Sequence, residues 1–186
     1  MPVRHWFFAA MLLLCRVAPV AAGTPEIEIS VDKRNDTFVI DASFEVAVPV
    51  RTAWRVLTDF DNMAGILHNL NSSRIASRSG NTLRVVQEGV ARFGIFTYPF
   101  SSEREIQLEP RKRILARQIS GNTKSYASEM EIRPSESGTR FRYHAEMALD
   151  SGFARLFGSP FIRHEIVEQF VSMAQEMERR EGHQPQ

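Results

Sequence analysis

Cysteine is almost absent from this chain, which has a single one, Cys15, among its 186 residues. That cysteine lies within the first 22 residues, which have the pattern of a segment removed during export. The remaining chain is therefore predicted to contain none. Disulfide bonds, thiol nucleophiles and cysteine-ligated metals are excluded from it.

Long apolar runs are also lacking, and the one near the N terminus is short. A basic start precedes apolar residues 6–14, and Val20 and Ala22 fit the third and first positions before a cleavage site. A membrane-spanning helix needs about 20 apolar residues. We therefore predict a signal peptide over residues 1–22, cleaved near Ala22, and export, in a bacterium to the periplasm. An uncleaved anchor and lipidation of Cys15 are the less favoured alternatives.

Motifs for covalent and phosphate chemistry are missing as well. The chain has no Gly-x-Ser-x-Gly turn and no glycine-rich loop that would hold a phosphate. His164-Glu165 followed by Glu168 resembles half of a zinc-protease helix, but the second histidine is absent. At helical spacing His164 and Glu168 lie opposite Ile162, so we expect them on the solvent side. We therefore predict no catalytic residue, no metal and no cofactor.

Net charge is small. Two of the 23 lysines and arginines lie in residues 1–22, which leaves 21 basic against 22 acidic residues and a formal charge of −1. This balance gives no reason to expect nucleic-acid binding. The basic tripeptide 111–113 is predicted at a hairpin tip, where it allows transient contact with an anionic membrane surface. The oligomeric state is left open.

Alternation of apolar and polar residues is what the chain has in abundance. It runs through residues 38–48, after which a proline opens a short helix over residues 50–57. Residues 63–67 suggest a second short helix. From residue 74 to residue 149 the period of two returns in about six segments at hairpin spacing. Gly94 marks a bulge or bend within this run.

The last segment is predicted to be a long helix with a wide apolar stripe. Ser159 fits the N-cap, Pro160 fits the first helical position, and Gly182 is placed as a helix-ending glycine. Apolar residues recur between them at helical spacing: Ile162, Ile166, Phe170, Met173 and Met177. Such a helix is roughly 30 Å long and can cover the apolar face of an antiparallel sheet. One domain over residues 23–182, with a tail at 183–186, accounts for the pattern.

Four segments, taken in order, are typical of one superfamily. They are Val46-Ala47-Val48-Pro49, residues 53–61, Val86-Gln87-Glu88-Gly89 and residues 138–143. With the Pro160-containing helix they resemble the START/Bet v 1-like (SRPBCC) superfamily. The chain is most similar to its branch of polyketide cyclases/dehydrases and coenzyme Q-binding START-domain proteins. The resemblance implies an α+β helix-grip fold: a curved antiparallel sheet of about seven strands around the C-terminal helix, with two short helices after the first core strand.

The resemblance also implies a cavity between the sheet and the long helix. Methionine and aromatic side chains on inward faces suit a cavity that adapts to an apolar guest, and Gln87, Tyr126 and Tyr143 would orient a polar headgroup. The predicted ligand-binding residues are Gln87, Phe93, Phe100, Tyr126, Met130, Phe141, Tyr143, Met147, Ile162, Ile166, Phe170 and Met173. Met177 is expected, with Met173, to close the far end.

We therefore favour an exported protein that binds or carries a hydrophobic small molecule or lipid and catalyses no reaction. One alternative is a cyclase- or hydratase-type enzyme acting on an aromatic or polyketide-like substrate, with Tyr126, Tyr143 or Arg104 as general acid or base. Another is an envelope protein that contacts a second protein or the membrane surface and holds no ligand.

Overall fold

The computed structural model describes residues 25–149 and 158–183. The predicted signal peptide and the segment just before the long helix lie outside the described residues, as do the side chains of Phe93 and Phe96. Within the two described ranges, no helix is both long and apolar enough to span a bilayer.

Eight strands of the described chain form one antiparallel sheet. They are β1 Glu28–Arg34, β2 Thr37–Val46, β3 Leu70–Ser79, β4 Thr82–Phe93, β5 Phe96–Glu109, β6 Arg113–Gly121, β7 Ser125–Ser135 and β8 Gly138–Ala148. Their order across the sheet is β1-β2-β8-β7-β6-β5-β4-β3. The sequence predicted about seven strands, one fewer than the structure has. The additional strand is the weakly alternating first segment, which pairs with β2 along its whole length.

Three helices are present in the described ranges. α1, Val50–Leu57, follows Pro49 directly and buries one apolar face. A 3-10 helix, Phe60–Gly65, comes next, and α2, Gly158–Gly182, is the last element. The second short helix predicted at residues 63–67 is thus a 3-10 helix that begins three residues earlier. The long helix and its glycine end are where the sequence predicted them.

The turn between β4 and β5 corrects the expected bulge or bend within one strand. Phe93 pairs with Phe96, so Gly94 and Ile95 form a two-residue turn between two separate strands. Gly94 has a φ of 60°, in the left-handed region that glycine adopts without strain. Ile95 is 92% exposed at this tip.

Side chains of β2, β8, α1 and the second half of α2 pack together in one part of the fold, which we call the packed end. α2 contacts α1 and β2, and Arg163 in its first half donates a hydrogen bond to the Ile29 carbonyl of β1. The ring of Phe44 stacks on Phe141 and on Phe170, with centroids 4.6 and 4.8 Å apart. Arg180 forms an ion pair of 2.8 Å with Asp59, which ties the end of α2 to the loop after α1. The second half of α2 is therefore anchored, while its first half extends over the other strands.

Candidate ligand-binding cavity

Away from the packed end, α2 stands off from the sheet and a cavity of about 300 Å³ lies between them. Its mostly apolar walls come from β4 to β8, from the first half of α2 and from the segment around the 3-10 helix. The exposed residues Ser101 and Asn122 also line it, and their side chains are joined by a hydrogen bond of 3.0 Å. They mark a place where the cavity reaches the surface.

Ten of the twelve predicted ligand-binding residues lie in the cavity wall. They are Gln87, Phe100, Tyr126, Met130, Tyr143, Met147, Ile162, Ile166, Phe170 and Met173. The sheet brings four of them together by register, because Tyr126 pairs with Met147 and Met130 pairs with Tyr143. Their position in the wall is a finding, and their contact with a ligand stays a prediction.

The other predicted residues lie elsewhere. Phe141 is fully buried behind the wall, where it stacks on Phe44, so it supports the cavity without lining it. Met177 is also fully buried and belongs to the packed end, which corrects its expected position at the far end of the cavity. The side chain of Phe93 lies outside the described part of the chain. Periodicity placed these residues inward, but inward residues can face other side chains as well as a cavity.

A chain of hydroxyl groups lies in the wall formed by β7 and β8. The Tyr126 hydroxyl donates to Ser128 Oγ at 3.0 Å and lies 2.8 Å from the Tyr143 hydroxyl, which is left to donate to it. Burial, and then the neighbouring Tyr126, raise the pKa of the Tyr143 phenol well above its ordinary value. Tyr143 therefore remains a neutral hydrogen-bond donor at physiological pH.

Arg104 on β5 completes this group, which we call the arginine–tyrosine cluster: Gln87, Arg104, Tyr126, Ser128 and Tyr143. The guanidinium carbon of Arg104 lies 5.7 Å from the centre of the Tyr126 ring, a cation–π distance. Its Nη2 donates to Gln87 Oε1, and Gln87 Nε2 donates to Ser73 Oγ at 3.0 Å. The cluster places one permanent positive charge in the wall of an otherwise apolar cavity.

A second polar pair, Asn69 and Glu165, lines the cavity on another side and was not predicted. Asn69 Nδ2 donates to Glu165 Oε2 at 2.9 Å, and burial raises the pKa of the Glu165 carboxyl. Gly89 admits the Asn69 backbone, since a Cβ there would lie 2.0 Å from the Asn69 carbonyl oxygen. The sequence held one signal: Glu165 follows Ile162 by three residues, so helical spacing puts it on the apolar face.

His164 and Glu168 are exposed, as the helical spacing predicted. His164 Nε2 lies 3.5 Å from Glu168 Oε1. Together with Glu165 they offer ligand atoms that all lie within 4.8 Å of one another. Because the Glu165 carboxylate is buried and bonded to Asn69, the group gives no specific support to a metal site.

A family model described as polyketide cyclase / dehydrase and lipid transport matches residues 37–178. The chain belongs to this family. The match spans β2 to most of α2, so it includes nearly all of the cavity wall. It confirms the START-superfamily resemblance and the α+β helix-grip class of fold. The family description includes both catalysis and transport, so membership is compatible with either role for the cavity.

Solved structures share the fold at low sequence identity. The protein TTHA0849 from Thermus thermophilus has a TM-score of 0.67 and 15% identity, over 76% of this chain and 98% of that one. The Zhui aromatase/cyclase from Streptomyces sp. R1128 has a TM-score of 0.64 and 16% identity, over 83% and 96%. A STAR-related lipid transfer protein from Xanthomonas axonopodis has a TM-score of 0.61 and 8% identity, over 82% and 93%. No curated protein matches the sequence.

Proposed function

We propose that this protein binds a hydrophobic small molecule or lipid in the cavity and carries it without catalysing a reaction. The supporting observation is the mostly apolar cavity of about 300 Å³, in whose wall Gln87 and Glu165 are the buried polar or charged side chains among the described residues, apart from the Tyr143 hydroxyl. Protein interiors normally contain few voids larger than a water molecule. This cavity has room for about ten water molecules and lies at the lower end of the volume range of ligand pockets.

The hydrogen bond between Tyr126 and Tyr143 is the one specific observation in favour of the cyclase-type alternative. A tyrosine that serves as a general base must lose its proton near the working pH. Burial raises the pKa of Tyr143, which keeps its hydroxyl protonated and opposes that role. We therefore place binding ahead of catalysis.

Export is a separate part of the proposal, and it is supported by the pattern of residues 1–22. Fractionation of bacteria that express the full chain, followed by N-terminal sequencing, tests it. We expect the protein in the periplasmic fraction with Gly23 as its first residue. Recovery from the cytoplasm with residues 1–22 still attached would refute it.

Native mass spectrometry and solvent extraction of protein purified from its exported compartment test the carrier function. We expect an apolar molecule that co-purifies in about one-to-one ratio and is released by the solvent. Protein that is empty in both measurements, and that takes up none of a panel of lipids and quinones, would contradict the proposal and favour a protein-interaction role.

Two alanines provide a matched pair of variants for this test. Ala116 is buried in the cavity wall on β6, whereas Ala127 on β7 is exposed on the outer face of the sheet. Ala116→Phe should reduce ligand uptake at least tenfold by filling the space, and Ala127→Phe should leave uptake unchanged. Equal uptake by both variants would show that the ligand lies elsewhere.

Turnover distinguishes the carrier from the enzyme. Aromatic polyketide and ester substrates are added to the purified protein, and product is followed by mass spectrometry. We expect no conversion above the buffer rate. Conversion that is lost in Tyr126→Phe or Tyr143→Phe, with binding retained, would establish the cyclase-type function instead.

A further inference from the structure

Arg104 differs from its neighbours on β5 in having no acidic partner in the described structure. Glu103 and Glu105 flank it in sequence and form ion pairs on the outer face, 3.2 Å from Arg84 and 3.0 Å from Arg117. Alternation along the strand turns Arg104 to the cavity instead. Within residues 25–149 and 158–183, no carboxylate lies within ion-pairing distance of its guanidinium.

The hydrogen-bonding capacity of Arg104 is also incompletely used. Its Nη2 donates to Gln87, but its Nε is buried and has no hydrogen-bond partner among the described residues. A buried donor without a partner destabilises a protein, and a buried charge without a counter-ion does so more strongly. An unsatisfied buried group in a native structure calls for an explanation, and a cavity ligand that supplies the acceptor would be one.

A carboxylate is the ligand group that best supplies both the hydrogen-bond acceptor and the negative charge that Arg104 lacks. The guanidinium presents N–H groups in a planar fork that matches the two oxygens of a carboxylate, and such charge-assisted bonds are stronger than neutral ones. Glu165 lies elsewhere in the cavity wall and, when ionised, disfavours an acid group beside it. Of the two charged groups in the wall, Arg104 is therefore the one beside which an acid group is favoured.

We infer that Arg104 determines ligand specificity by binding the carboxylate of an amphiphilic organic acid, whose apolar part fills the cavity. The inference rests on the proposed binding function and specifies its ligand class. Both an aliphatic acid and an aromatic acid have this chemistry, and the probes below include one of each.

Calorimetric titration of the ligand-free protein with chain-matched probes tests the inference. Decanoic acid, decan-1-ol and decylamine have the same apolar chain and differ in the headgroup, and 1-naphthoic acid with 1-naphthol forms the aromatic pair. We expect an acid to bind at least about tenfold more tightly than its alcohol, because a charge-assisted bond is added. Tight binding of decanoic acid alone identifies the aliphatic source, and tight binding of 1-naphthoic acid alone the aromatic one.

The variant Arg104→Gln should remove this preference. We expect the affinity for the acid to fall about tenfold to a hundredfold while the affinity for the matching alcohol stays unchanged. Arg104→Lys should restore part of the preference, because it returns the charge without the planar fork. Arg117→Gln, on the outer face of β6, is the control and should bind all probes as the wild type does.

Other outcomes overturn the inference in distinguishable ways. Equal binding of acid and alcohol by the wild type refutes it and leaves the carrier function standing. A parallel loss of acid and alcohol binding in Arg104→Gln means that Arg104 only maintains the fold. No binding of any probe refutes the inference, and the co-purification measurement described above then decides separately whether the proposed function stands.

A measurement on the wild type makes the test independent of whether the variants fold. The carbon-13 signal of carboxyl-labelled decanoic acid bound to the protein is followed as the pH is changed. A carboxylate held by Arg104 should titrate at lower pH than the free acid, because the guanidinium stabilises its charged form. A bound acid that titrates at higher pH than the free acid would refute the contact.

Discussion

The two halves of α2 face the same sheet but have different surroundings. In the second half, Ala174 and Met177 are fully buried against the packed end. In the first half, Ile162 and Ile166 are nearly as buried, yet they border a cavity. Phe170 lies at the boundary, stacked on Phe44 and edge-on to Tyr143, with ring centres 5.2 Å apart in the second pair. Low exposure to solvent therefore does not separate core from cavity wall in this fold.

The two halves of α2 also shift the pKa of a glutamate carboxyl in opposite directions. Glu176, in the packed half, accepts hydrogen bonds from Arg179 and Arg180, which lower its pKa to about 2. Glu165, in the cavity half, has its pKa raised, chiefly by burial. In the packed half the neighbouring cations outweigh burial and favour the charged form, and in the cavity half burial outweighs the hydrogen bond from Asn69 and the nearby His164. The predictions below test this contrast.

Met177 and Met173 give the largest expected difference, because they have the same side chain on the same face of α2. Met177→Ala should lower the free energy of unfolding by about 2–5 kcal/mol, since it leaves a void in packed surroundings. Met173→Ala should cost roughly 1 kcal/mol or less, because that side chain already borders a space and fewer contacts are lost. Urea denaturation measures both. Equal losses would show that the packed end and the cavity wall are packed alike.

Substitutions that enlarge a side chain should give the next largest difference in stability between the packed end and the cavity wall. Ala174 is fully buried in the packed half, so Ala174→Leu should cost about 1–3 kcal/mol through overpacking. Ala116→Leu places the same methyl groups in the cavity and should be neutral or stabilising in the ligand-free protein. Thermal unfolding of the two variants gives the comparison, and a larger loss for Ala116→Leu would argue against an open cavity.

Glu176→Gln should have a smaller effect, of about 1 kcal/mol, measured as unfolding free energy at neutral pH. Because its pKa is lowered on folding, Glu176 stabilises the protein above the ordinary glutamate pKa of about 4.3. That contribution should disappear as the pH falls towards 2, so the variant and the wild type should converge in acid. Glu88→Gln, exposed on the outer face of β4, is the control. A difference that persists in acid would show that the charge is not responsible.

Glu165→Gln should have the smallest effect, and its sign should be opposite. A carboxyl whose pKa is raised on folding destabilises the folded state once the pH rises above its unfolded value. The variant should therefore unfold at a slightly higher temperature than the wild type at neutral pH, and the difference should vanish below the ordinary glutamate pKa. The same Glu88→Gln variant serves as reference. A lower unfolding temperature at neutral pH would mean that the Asn69 bond outweighs the burial of charge.

Much of the fold followed from local patterns. Strict alternation in β2 and β8 and helical spacing in α2 identified the elements and their inward faces. The wrong predictions arose where one local sequence pattern is compatible with two different structures. Gly94 suits a bulge as well as a hairpin turn, and the pairing of Phe93 with Phe96 decided for the turn. The segment that became β1 alternates weakly because it is an edge strand with mostly exposed residues.

The cavity wall was predicted less completely, for a related reason. Ten predicted residues line it, but Phe141 and Met177 point inward at the packed end, where other side chains fill the space. Arg104 was singled out only for general acid–base work, and Glu165 was missed because it was grouped with His164 and Glu168, which lie on the solvent-exposed face of the helix. In both cases the side chain's partners come from distant parts of the chain.

Periodicity alone was enough to establish the α+β order and the inward faces, because side-chain direction repeats every two residues in a strand and every 3.6 in a helix. The family resemblance rested on particular segments of the sequence. It carries no information on how far an inward face lies from the layer opposite. That separation depends on where α2 is anchored, and its second half is held by α1, by the stack of Phe170 on Phe44 of β2 and by the ion pair between Arg180 and Asp59. The assembled fold therefore decided which inward residues became core, which became cavity wall, and that Arg104 lies there without a counter-ion in the described chain.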